Sequence, residues 1–484
     1  MARGAAVDAV VVGSGPNGLA AAVTLARAGL SVRVVEAADE PGGGSRTAEL
    51  TLPGFRHDVC SAVHPMALAS PFFRAFGLEH RIELRTPELS YGHPLDGGRA
   101  GLAWHDLDRT AEGLGRDGRA YRRLLGPLVA HASAVTEFAG STLVRVPRHP
   151  FAGAGLGLAA LEQGTPAWNL RFREELAPAM LTGVAAHAIR PQPSLGATAA
   201  GLVLAMHAHA RGWPIPVGGS GAIIAALVDD LRAHGGEVVT GTAVSDLREL
   251  PSARVVILDL TPRALDRMAG ERLPGRYRHA LRRFRYGNAA AKVDFALSGP
   301  VPWTVPELAV AGTLHLGGSR EEIAAGERDV ARGQHPESPY VLVSQPTAFD
   351  PTRAPEGRHV LWTYTHVPAG STLDPTEAVT RQVERFAPGF RDLVLASSSR
   401  SAQQMQAENA NYIGGDIAAG APTLAQLIRR PVLSADPWRT PLPGVYLASA
   451  STPPGPGVHG LAGWHAARSA LRHEFGLGMP RLAP

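Results

Sequence analysis

From Asp8 to Glu36 the chain runs through an apolar stretch (Val10, Val11, Val12), Gly13-x-Gly15-x-x-Gly18, an Ala-rich segment, Gly29, a second apolar stretch and a closing acid. A buried parallel strand delivers the chain to a tight turn at Gly13. Gly15, lacking a Cβ, lets a pyrophosphate approach the backbone, and Gly18 lets the following helix pack close to the strand. The helix N-terminus then offers free N–H groups and the positive end of its dipole to the phosphates. The second strand, Ser31 to Val35, ends in Glu36, about twenty residues past Gly15, where a carboxylate accepts ribose hydroxyls and disfavours a 2′-phosphate, hence NADP. The pattern predicts a dinucleotide cradle in a parallel α/β sheet, with Gly13, Gly15, Pro16, Asn17, Gly18, Glu36 and Ala37 at the nucleotide.

Two further glycine patterns lack that context. Gly155-x-Gly157-x-x-Ala160 follows no strand, and Gly219-x-Gly221 follows Trp213-Pro214-Ile215-Pro216, which cannot donate to a central ladder. The N-terminal apolar run contains Asp8 and continues into the fingerprint, so it reads as mature structure rather than a signal peptide.

A chain of 484 residues, 45% apolar, can build two or three domains, and none of its segments reaches the eighteen or so apolar residues that span a bilayer. The expectation is a cytoplasmic protein, soluble or resting on a membrane at its periphery. Charge is nearly balanced, 47 basic against 43 acidic residues, which points to no nucleic-acid partner; the densest basic run, Arg276 to Arg285, reads as a solvated helix face. With Cys60 alone, a dithiol redox centre or a cysteine zinc site is excluded, in keeping with a reducing compartment. The nineteen histidines show no HExxH spacing, and His207 and His209, two apart, face different ways on a helix; no metal is expected.

After Glu36 the loop Gly42-Gly43-Gly44-Ser45-Arg46 permits close backbone approach to a ligand, and Arg46 offers a forked donor to phosphate charge. A strand is expected around Ala48 to Leu52. Ser70 to Ala205 is mostly helical in pattern, interrupted by the Pro/Gly-rich stretch Val146 to Gly157. A second α/β signature follows: a helix Ala222 to His234, a strand Glu237 to Thr240, Ala243 and Val244 at the nucleotide, and the strand Val255 to Leu258. Ala289 to Leu297, Tyr340 to Val343 and Val360 to Tyr364 alternate in the β manner and predict an antiparallel sheet. Finally, a strand Gly444 to Ala448, a glycine/proline loop through Gly460 and a helix Leu461 to Phe475 form another unit aimed at a ligand.

Taken together, Val10 to Glu36, the Gly42-Gly43 loop ending Arg46-Thr47, Pro53-Gly54-Phe55-x-x-Asp58, Pro216-x-Gly218-Gly219-x-Gly221, Asn411-Tyr412-Ile413-Gly414-Gly415-Asp416 and Gly444-Val445-Tyr446 with Gly455-Pro456-Gly457-Val458-His459-Gly460 resemble the phytoene desaturase-like FAD-dependent oxidoreductases, most of all their pyridine nucleotide-disulfide oxidoreductase domain-containing protein 2 branch. The resemblance implies FAD in an extended pose. It implies a Rossmann-like FAD-binding domain, discontinuous over 1–69, 206–280 and 431–484, and an inserted α+β substrate-binding domain over 70–205 and 281–430 carrying an antiparallel sheet. Gly43, Gly44, Ser45, Arg46, Gly457, Val458 and His459 join the cofactor-binding set. The terminal loop aims N–H groups at the N1–C2=O edge of the isoalloxazine. Two positions depart from the family pattern: Pro456 has no N–H to give, and His459 replaces a small or β-branched residue and is a candidate proton relay or cation.

With His459, Trp464 and Asp416 as candidate catalytic residues, the resemblance implies hydride transfer from a C–H bond of an apolar, isoprenoid- or acyl-like substrate to flavin N5. Electrons would pass on to oxygen, a quinone or a carrier. Such chemistry asks little of side chains, which accords with the lack of a Ser/His/Asp or paired-carboxylate constellation. A flavin amine oxidase, for which only Trp464 among the aromatics stands near the terminal motif, and a FAD-bound regulatory protein with weak turnover are the alternatives.

Overall fold

A computed structural model describes residues 6–145 and 148–484. Five parallel strands form one sheet, in the order Val445–Leu447, Ala253–Leu258, Val7–Val12, Val32–Val35 and Glu237–Val239. Val10, Val11, Val34 and Ile257 are fully buried, as a sheet covered on both faces requires. On one face lie the helices Pro16–Arg27, Gly221–Ala233 and Leu461–Ala470. On the other, Val12, Val35, Leu258, Leu265 and Met268 share a core with the helix Pro262–Ala269. The first and last helices cross so closely that a Cβ on Gly463 would lie 1.7 Å from the Asn17 carbonyl. The chain's end is thereby clamped onto its beginning.

The second sheet has seven strands, in the order Val394–Arg400, Ala289–Leu297, His359–Val367, Val341–Ser344, Ala311–Leu316, Leu89–Leu95 and Arg99–Trp104. Every neighbouring pair is antiparallel except Ala311–Leu316 with Leu89–Leu95, which is parallel, so the three strands expected from the alternation pair antiparallel within a sheet that is mixed overall. Directly paired residues share a face. Val293, Phe295, Leu314, Leu361 and Val343 face Val379, Val383, Phe386 and Phe390 in an apolar layer. Lys292, Asp294, Trp362, Tyr364, Leu342, Thr313 and His315 belong to the opposite face. The alternation seen in sequence is present, but its polar side is not solvated. Lys292 and Asp294 are buried against each other as an ion pair.

The helical expectation for Ser70 to Ala205 misses the hairpin Leu89–Leu95 with Arg99–Trp104, whose turn holds Gly97 and Gly98, both at positive φ. Of the expected interruption Val146 to Gly157, Val146 and Pro147 lie outside the described residues. Pro150–Gln163 is a helix, with its proline in the first turn, where no N–H partner is lost. The strand expected at Ala48 to Leu52 is shorter, Thr47–Glu49, and pairs with Arg56–Asp58. Ile215–Pro216 pairs only with Leu84–Arg85, an edge position that tolerates proline. Among the described residues no helix is long and apolar enough to cross a membrane.

Candidate active site

A cavity of about 1470 Å³ runs from the N-terminal glycine loop to the inner face of the seven-stranded sheet. At one end it is lined by Gly13, Gly15, Pro16 and Asn17, by Glu36 and Ala37, by Gly43, Gly44, Ser45 and Arg46, and by Ala243 and Val244. Gly457, Val458 and His459 line it as well. Of the residues expected at the nucleotide, only Gly18 is not on its wall. Gly18 acts from behind: a Cβ there would lie 2.1 Å from the Gly13 carbonyl.

The glycine loop is held by an acid whose role the sequence reading left unassigned. Asp259, at the end of Ala253–Leu258, is buried on the cavity wall, and its Oδ2 accepts the Gly18 N–H at 2.9 Å. A Cβ on Gly15 would lie 2.8 Å from the same oxygen. Burial raises the Asp259 carboxyl to about 7. An acid at the tip of the strand next to the fingerprint strand is the signal that could have located it. Asn411 completes this corner: its Nδ2 donates to the Asp259 carbonyl at 2.9 Å and its Oδ1 accepts from Thr261 at 3.1 Å.

Glu36 is fixed before any ligand arrives. Its Oε2 accepts the N–H and hydroxyl of Ser14, and its Oε1 accepts the N–H of Ala38. Oε1, with one donor so far, keeps capacity for a further one. Arg46 is drawn to its own loop, Nε donating to the Gly43 carbonyl at 3.0 Å and Nη2 lying 3.3 Å from Glu408. Glu408 also pairs with Arg400 at 2.8 Å, which ties this carboxylate into structure rather than acid–base work.

The residues present suit a flavin dinucleotide. The N-cap Gly15 gives the helix Pro16–Arg27 no side-chain cap, and apart from the Gly18 N–H, which Asp259 takes, its first turn keeps N–H for phosphate. Asn17 Oδ1 and Ser45 Oγ are buried without a protein partner, and both residues line the cavity. Buried polar atoms of this kind call for a polar ligand.

Two of the three candidate catalytic residues are elsewhere. Asp416 is buried off the cavity wall, where its two oxygens accept N–H groups from Gly287, Ala418 and Gly420 at 2.7 to 2.9 Å; burial raises its pKa, and it organises a turn. Trp464 stacks among Phe72 and His465 in the helical layer outside the five-stranded sheet, because the Leu461–Ala470 helix turns that side away from the cavity. His459 does line the cavity, yet it is not a cation. Its Nδ1 accepts the Leu461 N–H at 3.0 Å, its Nε2 lies 3.2 Å from the Gly455 carbonyl, and burial lowers it to about 4. This neutral imidazole braces the terminal loop.

The other end of the cavity is apolar and aromatic. Leu156, Gly157, Ala160 and Leu161 of the helix Pro150–Gln163 and Ala199, Ala200, Val203 and Leu204 of Leu195–Ala210 face Thr313, Leu342, Trp362 and Tyr364 of the sheet. Trp362 and Tyr364 meet edge-on, 5.4 Å between centroids. The sequence reading missed both as site residues because strand alternation does not say what the inner face confronts. His207 and His209 are buried in helix packing, bonded to Thr136 and to Tyr121 and the Trp104 carbonyl.

Residues 11–76 match the model of the NAD(P)-binding Rossmann-like domain. The chain is 25% identical to pyridine nucleotide-disulfide oxidoreductase domain-containing protein 2 of Rattus norvegicus, over 96% of this chain and 93% of the relative. It is 29% identical to phytoene dehydrogenase of Streptomyces griseus, over 82% of this chain and 79% of the relative. In fold it is similar to cyclohexylamine oxidase from Brevibacterium oxydans, with a TM-score of 0.57 and 18% identity over 96% of this chain and 98% of that one. The loop geometry around Gly15 and these likenesses agree: residues 11–76 carry an NAD(P)-binding Rossmann-like domain, and the chain as a whole resembles the FAD-type oxidoreductases.

Proposed function

We propose that the protein is an FAD-dependent dehydrogenase of the desaturase type, acting on an apolar, isoprenoid- or acyl-like substrate. The observation that carries this reading is the single cavity that joins a dinucleotide loop to a long wall of aliphatic and small side chains. Bound FAD would supply a hydride acceptor at N5. Residues 1–69, 206–280 and 431–484 would hold it, the Pro16–Arg27 helix N-terminus at the pyrophosphate, Glu36 at the ribose and the backbone of Gly457 to His459 at the isoalloxazine edge. Residues 70–205 and 281–430 would enclose the substrate, excluding water and aligning the C–H bond. Oxygen, a quinone or a carrier would take the electrons.

Leu161 and Leu424 line the cavity and are also about half exposed, 53% and 48%, and Phe151 and Leu158 stand out from the same helix as Leu161. This apolar rim supports loading from a membrane surface by a cytoplasmic protein. A second reading, amine oxidation, draws on the Trp362–Tyr364 pair; it ranks lower because the rest of that wall is aliphatic.

Visible absorption of the purified protein, followed by anaerobic addition of apolar polyenes, acyl compounds and amines, tests the proposal. Flavin bands bleached by the apolar compounds are expected. Bands bleached only by amines would replace the desaturase reading, and a protein that takes up no FAD would end both.

A further inference from the structure

On the inner sheet face, two polar atoms stand without partners. Thr313 is 1% exposed and Trp362 4% exposed; neither the Thr313 hydroxyl nor the Trp362 indole N–H has a protein partner, and both residues line the cavity. Their strands flank Val341–Ser344, and both are registered against Ser344, so they lie in one row across the sheet. An indole N–H can only donate, whereas a hydroxyl donates or accepts. Buried donors are costly unless something accepts from them.

The same stretch of wall carries no free positive charge. His187, on the cavity, and His315 behind it share a hydrogen bond between their Nε2 atoms at 2.9 Å, so one ring donates to the other. Burial keeps both neutral. Lys292, on the same sheet face, has its ammonium tied to Asp294. A carboxylate would find no counter-ion here, and an ammonium would meet an indole N–H that repels it.

Resting on the reading of an apolar substrate, we infer that this end of the cavity is a subsite for one neutral oxygen, and that the substrate is an oxygenated isoprenoid or acyl compound whose hydroxyl or carbonyl accepts from Trp362 and Thr313. The rest of the molecule lies along the aliphatic wall.

Calorimetric titration of the purified protein with geraniol and with the oxygen-free hydrocarbon of the same skeleton, both delivered from cyclodextrin, tests this. The alcohol should bind about five- to tenfold more tightly, the range of one or two neutral hydrogen bonds. Thr313→Val and Trp362→Phe should each erode that preference. Thr313→Val, which removes an unpaired buried hydroxyl at constant volume, should melt no lower than the parent. The corresponding aldehyde, geranial, separates the oxygen types: binding equal to the alcohol's indicates readout by donors alone, and weaker binding indicates that Thr313 also accepts. Equal affinity for alcohol and hydrocarbon, or a preference that survives both substitutions, would overturn the subsite. Binding of neither would overturn it together with the apolar-substrate reading. Because the readout is binding, a retained preference without flavin reduction by any apolar compound would sink only the desaturase reading.

Discussion

The parallel sheet meets its expected ligand with backbone, the mixed sheet with side chains. In the first, Val10, Val11, Val34 and Ile257 are buried hydrocarbon, and the polar contacts come from loop N–H groups and from Glu36 and Asp259 at strand ends. In the second, the strand faces themselves carry Thr313, Trp362, Tyr364, Lys292 and Asp294 into the interior. A backbone site depends on where glycine is tolerated and so imprints itself on sequence. A side-chain site depends on which way a strand face turns, which the sequence leaves open.

The sharpest way to break this contrast is at Gly18. Gly18→Val places atoms against the Gly13 carbonyl and should abolish flavin retention at a cost of roughly 3 kcal/mol or more. Trp362→Phe should leave the flavin spectrum intact. Equal flavin content in the two variants, by visible absorbance after gel filtration, would erase the distinction.

The seam between the two regions comes next. Asp58 pairs with Arg353 at 2.8 Å, both fully buried, and also accepts from the Ser220 N–H at 2.7 Å and the Thr47 hydroxyl at 2.9 Å. Asp58→Ala strands a buried guanidinium and should cost about 3–5 kcal/mol in urea unfolding; a loss below about 1 kcal/mol would show the seam to be dispensable.

Acid should weaken both regions together. Burial holds His64, His93 and His459 at about 4 and His57, His187 and His465 at about 3, against an ordinary value of 6.5. Since these folded-state values lie below the unfolded one, the unfolded chain binds protons first. Stability is complete above about pH 6.5 and drains as pH falls toward 4 and then 3, on the order of 1 kcal/mol per pH unit for each fully buried ring. Asp259, raised to about 7 from 3.8, works the other way, as do Asp294 and Asp416, which burial also raises. Denaturation midpoints that stay level between pH 7 and 5 would contradict this balance.

The smallest effect belongs to the surface. Arg385 pairs with the exposed Asp96 and with Glu322 at 2.9 Å, and Asp96→Ala should shift unfolding by no more than about 1 kcal/mol.

Much of the parallel sheet was legible because valine runs, glycine spacing and a closing acid are local signals. The helix at Gly221, the strands at Glu237 and Ala253 and the terminal strand at Val445 were expected close to where they fold. The hairpin Leu89–Leu95 with Arg99–Trp104 was hidden because its strand joins a partner more than two hundred residues away, Ala311–Leu316. Trp464 attracted a catalytic role by its nearness in sequence to the terminal loop, whereas Trp362, distant in sequence, lines the cavity. His459 was placed at the site, but its hydrogen bonds to Leu461 and Gly455, which decide its charge, are set by a loop conformation that composition does not reveal.

The clamp of Gly463 on Asn17 bears on how the chain matures. The strand Val7–Val12 lies between Val32–Val35 and Ala253–Leu258, and the cover of the helix that follows it, begun by Gly221–Ala233, is complete only when Leu461–Ala470 arrives. During synthesis the first apolar helix is therefore fully covered only after Leu461–Ala470 has left the ribosome. Such high contact order favours slow, late closure and a need for chaperone protection of the nascent chain. A nonsense truncation that removes the last helix should accordingly yield aggregated protein instead of a shortened enzyme.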